Sequence, residues 1–139
     1  MKRLSHAEEL MEHARQARKK AIAPYSSFSV GAALLTKEGT VITGCNIENA
    51  AYTPTNCAER TAFFKAISEG KRRFSAIAIV AAPEGKPLQK TAPCGVCRQV
   101  MMEFCNPDTF RILMAVSPEE YTVYTLGQPM PEGFGPDNL

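Results

Sequence analysis

Tryptophan is absent from the chain, and histidine occurs only at His6 and His13, both within the first 13 residues. A metal site away from the N-terminus must therefore be built from thiolates and carboxylates. No run of roughly 18 apolar residues occurs, which excludes a membrane-spanning helix. The opening stretch from Met1 to Glu9 lacks the apolar core of a secretory signal. Five cysteines, an odd number without such a signal, argue against a disulfide framework and for a reducing compartment. The expected location is the cytoplasm. Net charge is also small. A formal net charge of +2 is too small for a binder of phosphate backbones, and no nucleic-acid partner is expected.

The remaining composition is that of an ordinary globular protein, with 45% hydrophobic and 22% charged residues. A length of 139 residues suits one domain, 1–139, with a core of its own. Ser5 and Glu8 read as a capping box. The apolar positions Ala7, Leu10, Met11, Ala14, Ala17 and Ala21 follow helical spacing up to Pro24. Arg15, Arg18, Lys19 and Lys20 read as a solvated face of that helix. Strands are predicted at Phe28 to Leu35 and Val41 to Cys45, with a turn at Lys37-Glu38-Gly39. After a loop from Asn46 to Asn56, a helix capped by Asn56 runs from about Cys57 to Gly70. Ser75 to Ala82 is apolar enough for a strand buried on both faces. A further helix starts after Pro93, followed by strands at Phe110 to Val116 and Tyr121 to Leu126. This order predicts an α/β fold, a sandwich with a mixed five-stranded sheet covered by helices.

Two short stretches carry the chemistry. Cys94 and Cys97 are spaced i, i+3 at a predicted helix start, so both thiols project from one turn. Such a pair is a common zinc half-site, its other readings being a redox dithiol or simple coincidence. Cys57 starts the other predicted helix, where unpaired N–H groups and the helix dipole favour a thiolate. Three protein ligands leave zinc an open position for water. Cys45 and Cys105 lie in apolar contexts and read as buried thiols rather than a fourth ligand. Glu59 pairs with Asn56 as a capping box, yet it also stands two residues from a candidate ligand, where a metal-activated hydrolysis needs its acid/base. Zinc with three thiolates carries a net negative charge, and Arg60 and Arg98, each beside a ligand motif, are candidates to compensate it.

C-A-E followed by P-C-x-x-C is the three-cysteine form of the zinc-deaminase signature. With Phe28-Ser29-Val30-Gly31-Ala32-Ala33, Gly44-Cys45-Asn46-Ile47-Glu48-Asn49-Ala50, Cys57-Ala58-Glu59-Arg60-Thr61-Ala62 and Pro93-Cys94-Gly95-Val96-Cys97-Arg98-Gln99, the chain resembles the small homotetrameric cytidine deaminases from about Pro24 to Cys105, and again near Phe134-Gly135-Pro136. The resemblance implies a three-layer α/β/α sandwich and zinc on Cys57, Cys94 and Cys97. It implies that cytidine, and 2′-deoxycytidine, lose ammonia to give uridine or deoxyuridine in pyrimidine salvage. A zinc-activated water would add to C4, with Glu59 moving its proton to N3. Asn46 and Glu48 resemble the pair that binds the sugar hydroxyls, an Asn-x-Glu that shares one face of an extended segment. Phe28 matches the aromatic that packs on the base, and the N–H of Ala58 would face its carbonyl. Phe134 would reach a neighbour's active site, and Tyr52 resembles a subunit-contact residue; a homotetramer is thus implied. Pro54-Thr55 and the prolines Pro129 and Pro131 depart from the family's pattern. The competing readings are a deaminase of nucleic acid or a nucleotide, which would need a basic groove or phosphate clamp; a deaminase of a nucleoside antibiotic, which should lack the Asn-x-Glu; a non-catalytic zinc module, which leaves Glu59, Asn46 and Glu48 without a role; and a thiol–disulfide enzyme, which leaves Cys57 without one.

Overall fold

The computed structural model describes residues 7–117, 119–128 and 136. Its elements are α1 (Ala7–Arg18), β1 (Phe28–Thr36), β2 (Val41–Cys45), α2 (Ala58–Ser68), β3 (Phe74–Pro83), α3 (Gly95–Phe104), β4 (Arg111–Ala115) and β5 (Tyr121–Thr125). The strands form one sheet in the order β2-β1-β3-β4-β5. β3 and β4 are parallel; the other neighbours are antiparallel. The mixed five-stranded sheet is therefore the one the sequence predicts. No helix among the described residues is long and apolar enough to cross a membrane.

The period-2 alternation of the central strands divides the core in two. Ala32, Leu34, Ile77, Ile79, Ile112 and Met114 pack with α2 and α3 on one face. Ala33, Ala76, Ala78, Val80, Leu113 and Ala115 pack with α1 on the other. The result is a three-layer α/β/α sandwich, with β3 buried along almost its whole length. The two helices that carry the cysteines lie on the same side of the sheet.

Gly44 sets how closely α2 approaches. A Cβ there would lie 2.5 Å from the carbonyl oxygen of Ala58 and 2.6 Å from the amide of Ala62, both backbone atoms that cannot swing aside. Gly44→Ala is therefore expected to cost about 1–3 kcal/mol or more of stability, as overpacked sites do. Urea unfolding measures it, and an unchanged midpoint would show that α2 is free to shift. At its other end α2 stops at Gly70, whose φ of +92° is poorly tolerated by other residues.

One boundary differs from the sequence reading. The helix predicted to run to Pro24 ends at Arg18. From there Ile22 enters a short bridge with Ile47, its N–H donating to Asn46 O (3.0 Å) and its carbonyl accepting from Glu48 N (2.9 Å). Tertiary pairing thus overrides helical periodicity at Ala21. Arg18 is partly buried rather than solvated, donating from Nε to Ser29 O (2.9 Å) and from Nη2 to Ala82 O (3.1 Å). Arg15 fits the solvated reading, pairing with Glu12 at 2.7 Å on the exposed face. Ser5 of the expected capping box, His6, Pro129, Pro131 and Phe134 lie outside the described residues.

Candidate metal centre and active site

Both site helices begin on a cysteine. Cys57 is the N-cap of α2 and Cys94 the N-cap of α3, each with extended backbone. Asn56, expected to be the cap, stands one residue too early. Its Nδ2 donates to Thr61 Oγ1 (3.2 Å), and Thr61 Oγ1 donates to Cys57 O (3.1 Å). Glu59 consequently sits in the first turn without closing a capping box on Asn56. Asn56 instead holds the chain in place before the site. It exchanges both backbone hydrogen bonds with Ile47 at 2.9 Å, which draws the Asn46–Glu48 segment alongside Cys57.

The three sulfurs meet where the two helix N-termini converge. Cys57 Sγ and Cys94 Sγ are 3.5 Å apart, Cys94 Sγ and Cys97 Sγ 3.2 Å, and all three lie within 4.8 Å of one another. Around a tetrahedral zinc with Zn–S of about 2.3 Å, sulfurs stand about 3.8 Å apart, so this donor set matches the ion in spacing and in chemistry. It is the one such cluster among the described residues. Cys45 and Cys105 stay out of it, as expected. Burial raises both thiols, Cys105 to about 12.

The helix ends and a guanidinium supply the opposing charge. Cys97 N donates to Cys94 Sγ at 3.4 Å, and Arg60 Nη2 donates to Cys57 Sγ at 3.4 Å. Cys57 is lowered to about 5, first by a hydrogen bond from the Cys97 thiol and then by Arg60 and Cys94, against the effect of burial. Cys97 moves the opposite way because it keeps the shared proton and is buried. Burial works against the charge of Arg60, but its hydrogen bonds to Cys57 and Cys97 leave the guanidinium more firmly protonated than usual. Arg98 reaches the site by another route, donating from Nε to Pro93 O at 2.7 Å and so bracing the turn that presents Cys94.

Glu59 is only 4% exposed. Burial, with the Cys57 thiolate adding to it, raises its carboxyl to about 7, while Cys97 and Arg60 pull the other way. A group with that poise gives and takes protons near neutral pH. Ala58, fully buried, is the first residue of α2, where helix N–H groups lack intrahelical partners.

The remaining sequence candidates gather around the start of β1. Asn46 accepts from Val30 N and donates from Nδ2 to Phe28 O, both at 2.9 Å, so its amide fixes the backbone on either side of Ser29. Glu48 binds the turn just before, accepting from Tyr25 N (2.9 Å), Ser26 N (3.1 Å) and the Ser26 hydroxyl. Phe28 is half-buried at the mouth of this arrangement. Tyr52 is 74% exposed and packs edge-on against Tyr25, ring centroids 6.4 Å apart. Sequence reasoning missed Thr61 and Ser26, whose hydroxyls hold Cys57 and Glu48. A small hydroxyl residue next to a motif was the only local signal, and it is a weak one.

Residues 4–113 match the family model of the cytidine and deoxycytidylate deaminase zinc-binding region. The chain belongs to that family. A cytidine deaminase from Sporosarcina psychrophila is 59% identical over 99 residues, covering 71% of this chain and 70% of that protein. One from Mycobacterium tuberculosis is 41% identical over 130 residues, covering 94% and 90%. The crystal structure of a cytidine deaminase from Burkholderia pseudomallei superposes with a TM-score of 0.83 at 46% identity, covering 92% of this chain and 98% of that one. As a member of this family the chain is an enzyme, a zinc-dependent deaminase of the three-cysteine type, with the cysteine cluster on Cys57, Cys94 and Cys97.

Proposed function

We propose that the protein hydrolyses cytidine, and 2′-deoxycytidine, to the uracil nucleoside and ammonia. The observation that carries this reading is a buried Glu59 beside three converging thiols, in a chain whose relatives are named cytidine deaminases. Cys57, Cys94 and Cys97 would hold zinc. When bound, the ion supplies the Lewis acidity that makes a water nucleophilic near neutral pH.

The chain's own residues do the rest. Glu59 takes the proton that the water gives up and delivers it to N3 of the pyrimidine, which prepares C4 for addition. It then takes the proton of the new C4 hydroxyl and passes it to the departing amino group as the C4 carbonyl forms, so that one water is consumed and one ammonia released. The Ala58 N–H binds the carbonyl oxygen of the base, and Phe28 packs on its ring. Asn46 and Glu48 take the sugar hydroxyls, with Asn46 acting largely through the backbone it fixes. Arg60 offsets the surplus negative charge of three thiolates directly, and Arg98 holds the Pro93-Cys94 turn.

A homotetramer with active sites at subunit contacts is part of the proposal, Phe134 reaching a neighbour's site. Its support is an apolar patch beside the candidate site. Ile22 is 56% exposed, Tyr25 56%, Ile47 43% and Tyr52 74%, with Ile22 bridged to Ile47 and Tyr25 edge-on to Tyr52. Patches of this kind mark protein contacts. The proposed setting is pyrimidine salvage in the cytoplasm.

A spectrophotometric assay of cytidine conversion by protein of measured zinc content tests the reading. Conversion to uridine with one equivalent of ammonia is the expected result. A fully zinc-loaded protein that leaves cytidine and 2′-deoxycytidine untouched would overturn the substrate assignment.

A further inference from the structure

The Glu48 carboxylate is bound by three donors from a single turn. Tyr25 N and Ser26 N share one oxygen, at 2.9 and 3.1 Å, and the Ser26 hydroxyl donates to the other. The same hydroxyl accepts from Phe28 N at 3.1 Å. Ser27, at a φ of +57°, folds the chain back so that one side chain reaches both groups. Ser26 thereby links the residue assigned to the sugar with the residue assigned to the base. A hydroxyl has one proton and two lone pairs, so donation to Glu48 and acceptance from Phe28 N–H are compatible and fix the direction of the chain of bonds.

An ionised carboxylate offers about four lone-pair sites. Three are taken by this turn, which leaves Glu48 room for about one further donor. We propose that Ser26 is a positioning residue for sugar recognition: its hydroxyl locks the second Glu48 oxygen so that the free lone pair is presented to a sugar hydroxyl. The inference rests on the assignment of Glu48 to the sugar. The hydrogen bond from Ser26 also leads the influences that hold the Glu48 carboxyl below its ordinary range, which keeps it an acceptor.

A structural role and a positioning role separate on two substrates. Cytidine carries the 2′- and 3′-hydroxyls of the sugar, and 2′,3′-dideoxycytidine lacks both while keeping the 5′-hydroxyl. The parent enzyme is expected to prefer cytidine in kcat/KM. Ser26→Ala should shrink that preference about tenfold, the worth of one hydrogen bond to a charged group. The change should appear in KM for cytidine with kcat retained, and Ser26→Thr should restore it. Equal loss on both substrates, or an unchanged preference, overturns the proposal. Glu48→Ala identifies which step failed. If it abolishes the preference and Ser26→Ala does not, only the role of Ser26 falls. If Glu48→Ala keeps the preference, the sugar assignment falls and Ser26 with it.

Discussion

Glu59→Gln is expected to lower kcat by about 10²–10⁴-fold, the usual loss when a positioned acid/base is removed, with zinc content unchanged. The amide keeps the shape of the carboxyl but carries no transferable proton at neutral pH. Zinc retention follows from the geometry, because the three sulfurs come from Cys57, Cys94 and Cys97. Turnover and metal content measured on the same preparations check this. A variant within tenfold of the parent would remove Glu59 from the proton path, and a variant that loses zinc would make it a structural residue.

The same substitution should act on stability in the opposite sense. The folded carboxyl is raised from 4.5 to about 7 by burial, so the fold favours its neutral form. In zinc-free protein this places no penalty below about pH 4.5. A cost grows as pH rises and is complete above about pH 7, where it amounts to about 3 kcal/mol at 1.36 kcal/mol per unit. Gln carries no such titration. Zinc-free Glu59→Gln should therefore gain stability over the zinc-free parent between pH 5 and pH 8. Chemical unfolding at the two pH values reads the difference, and parallel curves would contradict it.

Cys97→Ala should have the second large effect, on metal affinity. Cys97 is 1% exposed, lies 3.2 Å from Cys94 Sγ and shares its proton with Cys57. Loss of an outer-shell partner typically costs about 10–100-fold in metal affinity or activity, and loss of a ligand should exceed that. Competition with a chelator measures the affinity, and activity should disappear with the metal. Full zinc occupancy in the variant under such competition would mean that Cys97 is not a ligand. In the parent, affinity should climb with pH. The Cys97 thiol is raised and holds its proton at neutral pH, and that proton must leave before the sulfur can ligate. Each proton released makes binding about tenfold tighter per pH unit. A flat profile would mean the thiols are already ionised without the metal.

The sequence alone determined which segments are strands and helices and singled out the three cysteines that converge, because those are written in short-range signals. Continuous apolar runs mark β1 and β3, and Cys-x-x-Cys sits where the helix after Pro93 must start. Cys45 and Cys105 were separable from the cysteine cluster by their apolar neighbours alone. Tertiary structure decided what depends on residues far apart in the chain. Strand order is one case, since β3 beside both β1 and β4 follows from packing two faces rather than from any local pattern. The end of α1 is another: Ala21 keeps helical spacing, but the Ile22–Ile47 bridge and the reach of Arg18 to Ser29 and Ala82 take the chain away. The cap of α2 moved from Asn56 to Cys57 because Asn56 is pinned to Ile47. Side chains that read alike locally also diverged: Arg60 lies against the sulfurs and Arg98 against Pro93 O. Periodicity and caps act within a few residues and are legible in one dimension. Hydrogen-bond partners drawn from β1, the Ile47 segment and two helix starts exist only once the sheet has brought them together.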